Sequence, residues 1–440
     1  MNHHADNLTI EFMFLGGGFK LDFGTPSQAS LPKYNELLKC FYKSGTYKPW
    51  IVANQEIKHD LQQFVWKYNK SYPHLNKLQK RIQSIRDGEI LLIAGEFPTE
   101  TSKRHELEML LEVLNEVGLA NVGSEWQKRI AESKDFMQSL LENYNIFTPR
   151  TDIRVTIGNS RKDNRVCRFC GGRLASGSSF SKVAHAIPEA LGNKSIVLGD
   201  ECDECNKYFG DNIEPHLIES FDIYRAFLGV KGKSGVPNLK YTKGEITHKD
   251  GIPVVIAKRI EFTENGIFVD LGGSRKLTPA KLYRALCKIT LSVIGDQDLI
   301  GLEDTLDWVR NDSPQTQVPK VGITIIKTAP DNSIVSVAVF TRKTEDCSLP
   351  HVVTEFRFGS FVYVYILPFS RKDKLKFLSD SEFQQFWSSF PMYSQIDNWQ
   401  YHDLQSTQEF SVEDSIKVSN RNGTPPRQND SFDDQNTAGQ

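Results

Sequence analysis

Two Cys-x-x-Cys pairs, Cys167/Cys170 and Cys202/Cys205, frame the stretch that most constrains this 440-residue chain. A two-residue spacer lets both thiolates of a turn reach one ion, and two such turns supply the four ligands of a tetrahedral structural zinc site. The 31 residues from 171 to 201 that separate the pairs exceed the span of a simple zinc ribbon, so the pairs must enclose structure of their own. One histidine, His185, stands in that interval, just ahead of Ile187-Pro188.

The remaining cysteines, Cys40, Cys287 and Cys347, are scattered and read as ordinary thiols. Clustered pairs in a reducing compartment are metal ligands rather than disulfides. The opening MNHHADNLTIEFMFLGGG lacks the basic start, long apolar core and small-residue cleavage site of a secretory signal. No apolar run reaches the roughly 18 residues of a membrane span. The expected compartment is therefore the cytoplasm, with no membrane partner. A net charge of −2 excludes a polycation, so nucleic-acid binding would need a local basic patch. Such a patch starts at residue 160, where Arg161, Lys162, Arg165, Arg168, Arg173, Lys182 and Lys194 face only Asp163 and Glu189 before Asp200.

The length predicts two or three domains, and a 39% hydrophobic fraction is ample for their cores. Residues 1–155 read as a helix-rich α+β region. A helix is expected from Thr101 to Leu119, and a second begins at a Ser124/Gln127 capping box with Trp126, Ile130, Phe136, Leu140 and Leu141 near one face. Gly16-Gly17-Gly18 lacks the Gly-Lys-Ser/Thr ending of a phosphate loop and reads as a turn. Residues 232–395 read as an antiparallel β-rich domain, from runs such as PVVIAKRIEF, GIFVDLGG, VGITIIKT, SIVSVAVFTR, VVTEFRFG and FVYVYILPF. A helix from Thr278 to about Val293, with Pro279 at its first position, interrupts them. Residues 404–440, polar and carrying Pro425-Pro426, read as a disordered tail.

Inside the cysteine-framed block the pattern predicts a strand over Phe180–Ile187, a loop through Gly192-Asn193, a strand over Ser195–Leu198, and a helix capped by Asp200 that carries Cys202, Cys205 and Asn206. Zinc would then fix the distance between His185 on the strand and Asn206 on the helix. The fold class expected is α+β, with this unit, residues 160–225, between the two larger regions.

CRFC, AHAIPEALGNK and DECDECNKYFG together resemble the HNH endonucleases, whose catalytic unit is a zinc-stabilised ββα-metal finger. The resemblance runs from about Cys167 to Phe221. It implies that His185 is the general base, that Asn206 ligates a catalytic Mg2+ or other divalent ion, and that Asn193 steadies the histidine from the loop. Many members carry an acidic metal ligand immediately before the histidine, where this chain has Ala184. Glu214 further along the helix would assist only if Gly210 bent it, and His216 reads as structural or exposed. The implied activity is phosphodiester hydrolysis of nucleic acid, with DNA the expected substrate, in a setting such as defence against foreign DNA. A second copy of the chain or a regulatory partner would complete it. Two other classes compete: a zinc-stabilised nucleic-acid-binding module without cleavage, and a structural protein in which zinc ties the flanking domains together.

Overall fold

The computed structural model describes residues 7–43, 45–151, 153–159, 161–249, 251–263, 266–311, 317–326 and 335–419. The hairpin of β1 (Thr9–Phe14) and β2 (Gly17–Asp22) closes at Leu15-Gly16, where Gly16 takes a φ of 73°, a left-handed conformation glycine adopts without a Cβ penalty. The glycine run is a turn. Next come α1 (Leu31–Phe41), β3 (Trp50–Val52), α2 (Gln55–Tyr68), α3 (Leu75–Ser84) and β4 (Ile90–Ala94), with the strands in antiparallel order β2-β1-β4-β3. Alternation along β1 fills both faces: Phe12 packs with Leu37, Leu61 and Ile82 on one side, and Met13 packs with Leu111 and Leu114 on the other.

Those two leucines lie on α4 (Thr101–Val117), which precedes α5 (Val122–Asn143). α5 starts two residues before Ser124, whose hydroxyl donates back to the Asn121 carbonyl, so the expected capping box does not form. Of its expected apolar stripe, Leu140 is fully buried while Phe136 and Leu141 are more than a third exposed. β5 (Tyr144–Phe147) then leaves the N-terminal region and pairs with residues 339–342, and the Tyr144 hydroxyl donates to the Pro350 carbonyl at 3.0 Å.

The central unit consists of β6 (Val155–Ile157), β7 (Ala184–His185), β8 (Ile196–Leu198), α6 (Asp203–Asn212), α7 (Glu214–Ser220) and α8 (Asp222–Phe227). β8 pairs parallel with β6 and antiparallel with β7. β9 (Leu239–Lys240), β10 (Gly244–Lys249) and β11 (Ile252–Ala257) make a small meander, and β12 (Glu261–Thr263) pairs with the long β13 (Gly266–Leu277). α9 (Pro279–Val293), entered through Pro279, and α10 (Glu303–Arg310) follow. β14 (Val321–Ile325), β15 (Val335–Arg342), β16 (Val352–Phe358), β17 (Phe361–Ile366), α11 (Asp380–Ser388), α12 (Pro391–Ser394), β18 (Gln400–His402) and β19 (Phe410–Ser419) complete the chain. The main antiparallel sheet runs β18-β14-β17-β16-β15-β5.

The run PVVIAKRIEF divides between two sheets, as β11 and β12. The expectation of a disordered tail from 404 is corrected up to residue 419. β19 pairs along most of β13, and its buried Asp414 takes the Arg275 guanidinium at 2.5 Å, so ladder bonds and an ion pair stabilise a polar sequence that has little apolar surface. Residues 420–440 lie outside the described residues.

The molecule is mixed α+β, with the cysteine-framed unit sharing its core with the β-rich region. Cys167, Ile187, Leu198 and Phe209 belong to one apolar cluster with Tyr283, Leu286 and Ile289 of α9 and with Val337, Phe356 and Tyr365 of the main sheet. Phe221 packs against Phe358 with ring centroids 4.5 Å apart and planes tilted by 37°. Among the described residues no helix is long and apolar enough to cross a membrane.

Candidate active site

The four cysteines converge. Their sulfurs all lie within 4.8 Å of one another, and none is in a disulfide. Cys170 Sγ and Cys202 Sγ are 3.6 Å apart, close to the roughly 3.8 Å that tetrahedral Zn–S bonds of about 2.3 Å require. Backbone amides of Gly172, Cys202 and Cys205 each point at a cysteine sulfur at 3.4 Å, a pattern that stabilises thiolates. The hydrogen bond with Cys205 holds the Cys167 thiol down to about 4, and that same bond pushes Cys205 far up. Burial pushes Cys202 up to about 12. Four thiols this close become four mutually repelling thiolates only around a cation, so the residues fit a structural zinc.

Two of the elements expected in the finger are corrected. The strand expected over Phe180–Ile187 contracts to Ala184–His185, because the Asp203 carboxylate captures the Ser181 and Lys182 amides and the Ser179 and Ser181 hydroxyls. Those hydrogen bonds hold the Asp203 carboxyl well below the usual range, against the opposing pull of burial. The N-cap of α6 is Cys202, whose sulfur accepts from the Cys205 amide, and not Asp200. Asp200 instead accepts from the Asn159 amide at 2.9 Å and ties the helix approach to β6. A Cβ at Gly158, where φ is 82°, would stand 2.0 Å from that carboxylate.

His185 sits on β7 opposite Val197, half-buried between the fully buried Ala184 and Ala186. Its Nε2 is 3.6 Å from Glu189 Oε2, while Nδ1 is buried without a hydrogen-bond partner. Burial lowers the imidazole pKa, opposed by Glu189, so the neutral form prevails at neutral pH. A neutral ring with one free nitrogen can accept a proton.

Asn193, 3% exposed, uses both ends of its amide. It donates to the Ile187 and Ile196 carbonyls at 2.8 and 3.0 Å and accepts from the Ser195 and Ile196 amides at 3.1 and 2.9 Å. None of these bonds reaches the His185 ring. The expected steadying role is corrected to an indirect one: Asn193 closes the loop that joins β7 to β8.

Asn206 lies one turn into α6, partly exposed, with no side-chain hydrogen bond among the described residues. The bend after α6 falls at Ile213 and not at Gly210, since Pro215 cannot donate to a continuing helix. Glu214 therefore opens α7, where its carboxylate meets Lys288 Nζ at 2.9 Å. His216 is structural, accepting from the Thr278 amide at 3.2 Å.

Sequence reasoning missed two groups at this site. Glu189, four residues after His185, was legible in the HAIPE run. Lys288, fully buried in α9, gave only the weaker signal of a third cation, after Lys281 and Arg284, in a largely apolar helix. Its ammonium donates to the His185 carbonyl at 3.1 Å, meets Glu201 Oε2 at 3.3 Å and lies 5.6 Å from the Phe209 ring, one turn beyond Asn206. Burial raises the Glu201 carboxyl to about 7. Burial opposes the Lys288 charge as well, but Glu201 and Glu214 outweigh it and keep its pKa raised.

Of the expected basic patch, Arg168 is withdrawn into the structure, donating to the Leu291 and Ile294 carbonyls at the end of α9. Arg161, Lys162, Arg173, Lys182 and Lys194 remain exposed.

Residues 167–222 match the family model described as HNH endonuclease, and the four-cysteine cluster reproduces the zinc framing of that match. No curated protein and no solved structure matches the chain.

Proposed function

We propose that this chain is a divalent-metal-dependent endonuclease that hydrolyses phosphodiester bonds of DNA, with His185 as general base. The HNH match at 167–222 supports a nuclease-type activity on nucleic acid. The observation that carries the assignment is the partly exposed His185 ring, its Nδ1 without a hydrogen-bond partner, in the unit framed by the four-cysteine cluster.

His185, neutral near pH 7, takes a proton from the attacking water. Glu189 faces the far nitrogen and favours the imidazolium that forms. Asn206 offers an amide oxygen as protein ligand for a Mg2+ or similar ion, with phosphate and water oxygens completing the shell. Such an ion, when bound, stabilises the charge that develops on phosphate and leaving oxygen. Asn193 holds the loop that sets the β7–β8 register. Exposed Arg173, Lys182 and Lys194 supply a phosphate-facing charge on the same unit. The setting we propose is cytoplasmic, in defence against foreign DNA, with a second copy or a regulatory partner controlling access.

One observation favours a second reading. Ala184 is buried where an acidic ligand is expected and Glu214 is engaged by Lys288, a donor set that suits a zinc-stabilised binding module without cleavage. Plasmid cleavage by the full chain, with and without Mg2+ or Mn2+, separates the two. Metal-dependent nicking that disappears in His185→Ala and Asn206→Ala supports the nuclease. Absence of nicking together with salt-sensitive DNA retention and about one zinc per chain supports the binding module.

A further inference from the structure

We infer that Lys288 is a positioning residue for the nuclease reaction, so that the catalytic unit extends beyond its family match to include α9; this inference rests on the function proposed above. Lys288 lies 66 residues after Asp222, the last matched position, yet its ammonium is completely buried against the finger. Three groups converge on that one cation: the His185 carbonyl at 3.1 Å, Glu214 Oε1 at 2.9 Å and Glu201 Oε2 at 3.3 Å. The three come from the three parts whose relative placement the chemistry needs, namely the strand of the base, the residue before the Cys202 ligand, and the helix that follows α6.

An ammonium without partners would not tolerate such burial, and neither would two carboxylates without a cation. The cluster is therefore bound to one arrangement. Glu201 meets Lys288 at 3.3 Å without an aligned hydrogen bond, whereas the His185 carbonyl takes a directed bond. That bond holds the β7 backbone at the base, and the Phe209 ring beside the same ammonium holds α6. α9 itself cannot drift. Arg168 bonds its last carbonyls, Arg284 Nη2 donates to the Tyr208 hydroxyl on α6 at 3.0 Å, and His216 accepts from the Thr278 amide at its start.

The zinc and Lys288 thus divide the work. Zinc ties residue 167 to residue 205, and Lys288 ties the resulting helix to the strand that bears the base. Charges facing the His185 ring come from Glu189 of its own loop, Arg154 before β6, Glu214 of α7 and Lys288 of α9. Replacing Lys288 should alter both the ring's placement and its proton affinity, which a residue that merely fills space would leave alone.

The test uses the full zinc-loaded chain with Lys288→Met, Lys288→Met/Glu201→Gln and Lys288→Arg, each checked for zinc content and cooperative unfolding. The double variant removes the buried carboxylate that Lys288→Met would strand, so it keeps the question open if the single variant fails to fold. In Mg2+-dependent plasmid nicking, the folded apolar variant should lose about 10- to 100-fold in kcat with KM within about twofold, the pattern of a displaced reacting group. Lys288→Arg should recover part of the loss. Wild-type kcat in a folded apolar variant overturns the inference. If both apolar variants fail to fold, Lys288→Arg decides: reduced kcat at unchanged KM supports it, and wild-type kcat overturns it. If the wild-type chain itself cuts nothing, the nuclease reading fails separately, and the His185 imidazole titration followed by NMR decides Lys288. A raised pKa in the folded variant supports the positioning contact, and an unchanged titration overturns it.

Discussion

Nε2 of His185 lies 3.6 Å from Oε2 of Glu189, four residues along the chain, while Nδ1 of the same ring is buried without a partner. Glu189 acts on the ring through charge at that distance, and no protein group competes for Nδ1. Burial lowers the imidazole pKa and Glu189 pulls it back up. The base form is therefore retained below pH 6.5, and kcat/KM should fall only as pH drops through the lowered value. Glu189→Gln removes the opposing pull, so the acid limb should move to lower pH while the neutral-pH rate falls by about 10-fold. A pH profile of nicking by the two proteins measures both. An acid limb that stays in place would show that Glu189 does not act on His185.

Asn193 makes four hydrogen bonds from a buried side chain. Asn193→Ala leaves the Ile187 carbonyl and the Ser195 and Ile196 amides without their partner, while the Ile196 carbonyl keeps the Ala186 amide, at a cost of about 3 kcal/mol. Urea unfolding should register that loss, and nicking should fall through misplacement of β7 although no atom of Asn193 touches the His185 ring. Asn193→Asp keeps the acceptor but sets a buried carboxylate oxygen against the Ile187 and Ile196 carbonyls, so it should destabilise at least as much.

The guanidinium of Arg310, at the end of α10, is raised in pKa chiefly by the nearby Cys205 sulfur, with Cys170 and Glu204 adding to it. Four thiolates around a dication carry an excess of negative charge, and Arg310 offsets part of it. Arg310→Met should speed zinc loss to a chelator by about 10-fold without changing the one-zinc stoichiometry. Complete zinc removal should unfold the finger, followed by loss of its protected amides in hydrogen exchange.

His351 is buried in the β-rich region with Nδ1 on Ser370 Oγ at 2.8 Å and no partner for Nε2. Burial, with Lys372 and Arg342 nearby, lowers its pKa from 6.5 to about 4. The folded pKa lies below the unfolded one, so the unfolded chain binds the extra proton between those values. Stability is therefore present above pH 6.5 and lost as pH falls toward 4, by up to about 3 kcal/mol. Asp373, which accepts from the His351 amide and whose carboxyl burial raises to about 6, acts with the opposite sign. Comparing wild type with His351→Gln cancels that contribution. Urea midpoints at pH 7 and 4.5 should show the smaller decline in the variant.

Much of the site was legible because it is written locally. Cysteine spacing, His185 ahead of Ile187-Pro188 and Asn206 after the last cysteine are sequence-adjacent patterns, and the covalent chain fixes their reach. Pro279 and the apolar periodicity likewise marked α9 within a residue of its ends. Local competition was harder to read. Asp203 captures the backbone at 181 and 182 and so shortens the β7 strand, and Pro215 moves the helix bend from Gly210 to Ile213. β19 was missed because pairing with β13, 139 residues away at Arg275 and Asp414, orders a segment whose own composition favours disorder.

The sequence by itself determined the four-cysteine cluster, and its resemblance marked His185 and Asn206 as candidate base and metal ligand, because each rests on residues a few positions apart. Only the tertiary structure decided that Lys288, Glu201 and Glu214 meet behind the His185 strand, and that β5 closes the main sheet. Those contacts join segments separated by tens to hundreds of residues. Their partners are chosen by which buried charges and unpaired strand edges can be satisfied together, and no local pattern encodes that choice.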